Sequence, residues 1–177
     1  MKAAQQTSQP SWLRRFWSQP SGNYRNFQLV FTVLTLNFAI PSVIYIVAPE
    51  LAHQQFVDMN ASLGGGAYVF PEYASSFWRY LGAANVATLA LMCFLLQLNL
   101  RRWYAVLLPL TFMKSLAATL WLAGWFQTPE YPAFLAAAIL DYASSFAFVF
   151  FARRARLDLK ELSDNELVPS PKGGAGL

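Results

Sequence analysis

Four continuous apolar runs govern what this chain can fold into, because each is long enough for one helical crossing of a bilayer. A hydrocarbon core about 30 Å thick takes roughly 20 residues of helix. The runs extend from about 27 to 48, 77 to 98, 103 to 126 and 131 to 151. Their apolar residues follow one another rather than alternating, so the spanning form is the α-helix, which satisfies every backbone group within its own segment. The expectation is an all-α membrane protein: a four-helix transmembrane bundle over residues 27–152, flanked by tails at 1–26 and 153–177. Charge agrees with this class. Only 12% of residues are charged, against about a quarter in soluble domains.

The distribution of those charges sets an orientation. Lys2, Arg14, Arg15 and Arg25 precede the first run, Arg101 and Arg102 separate the second from the third, and Arg153, Arg154, Arg156 and Lys160 follow the fourth. The first loop carries Glu50, Asp58 and Glu72, and the third carries Glu130. An even number of crossings brings every basic cluster to one side, and the positive-inside rule makes that side cytoplasmic, with both termini there. The plasma (inner) membrane is the expected location. Arg79, near the outer end of the second run, is placed to snorkel. Tyr24, Trp103 and Tyr104 are the expected inner interface anchors, and Trp78, Tyr80, Trp125 and Tyr131 the outer ones. The net charge of +4 is thus a topology signal, and no nucleic-acid partner is expected; the bilayer itself is the partner.

The longest connection, from about Pro49 to Ser76, has Gly64-Gly65-Gly66 at its centre and room for a short interfacial helix over Leu51 to Met59. Asn60-Ala61-Ser62 is a formal glycosylation sequon, a triplet common by chance. The other connections are short, so the second, third and fourth helices are expected as antiparallel neighbours. The segment Trp12 to Trp17 mixes basic and aromatic residues and suits an interfacial tail, whereas Pro and Gly near Leu177 suit disorder. No signal peptide is expected, since residues 1–20 lack a continuous apolar core. Glu72 to Phe77 nearly repeats as Asp141 to Phe146, but the copies fall at different depths and read as coincidence.

Two charges stand inside the apolar runs. Lys114 lies roughly 11 residues from the start of the third helix, and Asp141 about equally far from the end of the fourth, so both sit about 16 Å deep. A lone charge there costs about 2.5–3.5 kcal/mol on insertion scales. Matching depth on antiparallel neighbours therefore predicts a Lys114–Asp141 pair. Asn37, Asn85, Thr88, Ser115, Ser144 and Ser145 fall at comparable depth and complete a candidate polar cluster. Pro41 should free the Asn37 carbonyl and kink the first helix. Such a cluster serves either as interhelical glue or as a site for a proton, an ion or a small polar ligand.

Chemistry is otherwise sparse. One cysteine, Cys93, and one histidine, His53, exclude an intramolecular disulfide, a thiolate cluster and a bis-histidine haem within one chain. No catalytic constellation, metal site or cofactor motif is legible, and Gly64 to Gly66 lacks the Lys-Ser/Thr of a phosphate loop. Enzymatic activity is disfavoured. Two readings remain: a structural, assembly or accessory membrane component, acting as a homo-oligomer or in a larger membrane complex, and a small transporter or proton relay built on Lys114 and Asp141.

Overall fold

The computed structural model describes residues 21–67 and 75–161. Helix α1 spans Gly22–Val47, α2 Pro49–Ser62, α3 Ser75–Leu98, α4 Leu100–Trp103, α5 Leu107–Gln127 and α6 Pro132–Glu161. No strand occurs among the described residues. Among the described residues, four stretches are long and apolar enough to cross a membrane: Gly22–Val47, Arg79–Leu98, Leu100–Gln127 and Pro132–Leu159. The Trp12–Trp17 segment, residues 72–74 at the start of the first copy of the near-repeat, and the tail after residue 161 lie outside the described residues.

The helix ends follow local chemistry. Ser21 caps α1 by accepting from the Tyr24 N–H at 3.2 Å, which starts the helix ahead of the apolar run at 27. Pro41 sits inside α1, which continues through it to Val47. Ala48 breaks the chain direction, and Pro49 opens α2, a longer helix than the expected Leu51–Met59. Asn99 ends the next crossing and caps the single turn α4 by accepting from the Arg102 N–H at 3.0 Å. A 3-10 turn over Tyr104–Val106 precedes α5. Pro109 lacks the N–H that would bond the Ala105 carbonyl, so the backbone tightens there instead of running regularly from 103.

The packing seam repeats at alternating steps of three and four residues. On α3 it comprises Ala83, Val86, Ala90, Cys93 and Gln97, and on α6 Ala138, Asp141, Ser145, Phe148, Ala152, Ala155 and Leu159. Helix α1 follows suit with Tyr24, Gln28, Phe31, Thr35, Phe38 and Ser42. This 3.5-residue spacing keeps one stripe facing its neighbours and is the pattern of left-handed helix bundles. It also explains why α6 runs to Glu161 rather than ending at 151. Ala152, Ala155 and Leu159 carry the seam onward and are almost wholly buried, so residues 153–161 are helix, not loose tail.

The helices associate chiefly as two pairs, α1 with α3 and α5 with α6, joined through α1 and α6. Helices α3 and α5, although linked by a short connection, meet only slightly, so the second and third crossings are much weaker neighbours than the short turn suggests. The start of α1, the α3–α5 connection and the end of α6 meet at one end. Asn23 Nδ2 donates to Asp158 Oδ1 at 3.0 Å, Ser21 Oγ contacts Asp158 Oδ2, and the Arg101 guanidinium contacts the Leu159 carbonyl. Tyr24 is buried in this junction rather than displayed as an interface anchor.

Asn60 organises the opposite end. Its Nδ2 donates to the Gly66 carbonyl at 2.7 Å, and its Oδ1 accepts from the Ala133 N–H at 3.3 Å, capping α6 from another part of the chain. The Gly66 N–H in turn donates to the Glu130 carbonyl at 3.1 Å. Gly65 is required by proximity, since a Cβ there would lie 2.5 Å from Asn60 Nδ2. Gly64 takes φ +80° at the turn. Being 1% exposed, Asn60 is a structural pin, and its sequon is closed to glycosylation in this conformation.

Candidate functional site: the ion pair between α5 and α6

Lys114 occupies the α5 seam after Leu107 and Leu110, and Asp141 occupies the α6 seam between Ala138 and Ser145. The two seams face each other, and the Lys114 ammonium and Asp141 carboxylate form a direct ion pair. Their side chains are 12% and 14% exposed, so both charges are largely removed from the surface. Phe38 of α1 approaches from the side, its ring centroid 5.2 Å from Lys114 Nζ. The face of the ring adds a weak attraction to the cation. Three of the four long apolar helices therefore converge on Lys114.

Hydroxyl groups continue this interface. Ser115 Oγ and Ser145 Oγ are 3.2 Å apart, and Thr119 Oγ1 and the Tyr142 hydroxyl are 2.9 Å apart. Ser145 is buried, whereas Thr119 and Tyr142 are exposed. Ser144 instead returns its hydroxyl to the Leu140 carbonyl of its own helix at 2.8 Å. The arrangement can hold one proton donor and one acceptor in contact at mid-span and present hydroxyls beside them. Among the described residues, no three of His, Cys, Asp or Glu come together as metal ligands would.

The remaining polar residues of the sequence cluster sit elsewhere. Asn37 and Asn85 are exposed on α1 and α3, and Thr88 is exposed with its hydroxyl bonded to the Ala84 carbonyl at 2.8 Å. The structure thus brings together Lys114, Asp141, Ser115 and Ser145, and leaves Asn37, Asn85 and Thr88 on the outer surface.

A second polar group, not foreseen from sequence, lies between α1 and α3. Gln97 Nε2 donates to Thr35 Oγ1 at 2.7 Å and to the Phe31 carbonyl at 3.1 Å, while Gln97 Oε1 accepts from Thr32 Oγ1 at 2.7 Å. Gln28 Nε2 donates to the Gln97 carbonyl at 3.0 Å. Gln28 and Gln97 are 1% and 4% exposed. The available signal was the spacing of Gln28, Thr32 and Thr35, which places three polar groups on one face of an otherwise apolar helix. Cys93 lies beside this group as a fully buried core residue. No family model, characterised protein or solved structure matches the chain.

Proposed function

We propose that this multi-pass membrane protein acts as a structural, assembly or accessory component, associating through its outer face with a second copy or a larger membrane complex. The observation that carries this reading is the division of its polar groups. The charges at mid-span are closed upon each other, while the carboxamides of Asn37 and Asn85 are exposed. An exposed carboxamide within a crossing meets either hydrocarbon or a partner, and interhelical hydrogen bonding favours the partner by about 0.6–2 kcal/mol. Both termini are assigned to the cytoplasm of a plasma (inner) membrane. Arg101, Arg102, Arg153, Arg154 and Arg156 share the end at which α1 starts and α6 finishes, and Glu50, Asp58 and Glu130 share the other.

The test is association in native membranes. Mild extraction and cross-linking of wild type should yield a discrete assembly, and Asn37→Leu with Asn85→Leu should weaken it without unfolding the chain. A monomer unchanged by the substitutions would sink this reading. A second reading, a proton or ion relay, draws support from the Ser115–Ser145 and Thr119–Tyr142 pairs beside the ion pair. It requires flux into proteoliposomes that depends on pH or potential and disappears in Asp141→Asn. Equal flux in wild type and that variant removes it.

A further inference from the structure

At the basic end, a groove of about 170 Å³ is lined by Tyr104, Arg153, Arg156 and Leu157. The guanidinium of Arg156 stacks on Tyr104, 3.9 Å from the ring centroid. Stacking uses the face of the guanidinium and leaves its N–H edge free to donate. Arg153 and Arg156 are exposed, and the nearby carboxylate, Asp158, is engaged by Ser21 and Asn23 at the start of α1. The groove is therefore a fixed cationic site with its neighbouring acid already occupied.

Depth identifies what such a site meets. Arg153 lies 21 positions after Pro132 along one continuous helix, a rise of roughly 31 Å, which matches the hydrocarbon thickness. Arg153 thus stands at headgroup level. Leu108 and Phe112 follow Tyr104 by one and two turns and are 77% and 63% exposed, giving an apolar track that leads from the groove into the hydrocarbon. A ligand suited to both parts carries a phosphate anion on an acyl chain.

We propose that the groove of Tyr104, Arg153 and Arg156 binds the phosphate of an anionic phospholipid, with the acyl chain along Leu108 and Phe112. Guanidinium forks match phosphate oxygens in a bidentate manner, and each basic residue near an anionic surface adds measurably to binding. The same phosphate chemistry exists in soluble form, so both sources enter the test. Delipidated full-length protein is titrated with phosphatidylglycerol, phosphatidylcholine or inorganic phosphate, and bound ligand is read by native mass spectrometry. Phosphatidylglycerol should bind in preference to both others. Arg153→Gln with Arg156→Gln should weaken it roughly tenfold or more. Tyr104→Leu should weaken it several-fold with net charge unchanged. The charge-matched control, Arg25→Gln with Arg154→Gln, should retain it. Equal loss in the two double variants, no effect of Tyr104→Leu, or saturation by inorganic phosphate at the lipid's concentration each overturns the site. All substituted residues but Tyr104 are exposed, and thermal unfolding checks that each variant remains folded.

Discussion

Lys114 and Asp141 illustrate how far a single residue can be read in isolation. Their depths followed from counting along two apolar runs, and the structure places them in contact at 12% and 14% side-chain exposure. Breaking such a pair leaves an uncompensated charge, whereas replacing both members leaves none. Lys114→Met should therefore destabilise the bundle by about 3–5 kcal/mol, and Lys114→Met with Asp141→Leu should recover most of the loss. Equilibrium unfolding in mixed micelles measures both, and a double variant no more stable than the single would refute the coupling. Asn60 gives the contrasting case. Its sequon, a triplet common by chance, said nothing of its role; one hydrogen bond closes the nearby turn at Gly66, and the other reaches Ala133, 73 positions later. Asn60→Ala should cost about 1–2 kcal/mol in the same assay, since it uncaps α6 and releases the 64–66 turn. No local pattern could have announced this, because the partner is set by how the chain folds back.

At the scale of elements, the four long apolar helices were legible and their seams were not. A helix in lipid is apolar on its outer face as well as its inner one, so hydrophobic periodicity no longer marks the packed side. Leu108, Phe112, Phe126 and Phe146 are among the most exposed large side chains, while Ala138, Ala152 and Ala155 are among the most buried. The seam is marked instead by alternating three- and four-residue steps, at which small and polar residues such as Ala138, Ser145, Ala152 and Gln97 stand among large ones such as Phe31 and Phe148. That pattern also extends α6 past the last wholly apolar turn. Ala155→Leu should overpack the junction and cost about 1–3 kcal/mol, while Leu157→Ala, exposed two residues on, should fall within about 0.5 kcal/mol. Thermal unfolding together with hydrogen exchange over 153–161 separates the two; equal behaviour would argue against a packed α6 end.

For the whole molecule, the pairing of α1 with α3 and α5 with α6 creates the interior in which Cys93 is fully buried. As the sole cysteine, Cys93 should resist a membrane-permeant maleimide in the folded protein and react on denaturation, with mass spectrometry counting the adduct. Rapid labelling of the native form would place α3 differently. The presence of four helices long and apolar enough to cross a membrane, and the matching positions of the two internal charges along them, were determined by the sequence alone, because both depend on local hydropathy and on the fixed rise of a helix. Tertiary structure alone decided which faces pack, that Gln28 and Gln97 turn inward while Asn37 and Asn85 remain exposed, and that Asn60 caps a distant helix. Lipid is as apolar as the bundle core, so hydropathy cannot choose between them; side-chain fit and hydrogen bonding make that choice only when the helices meet.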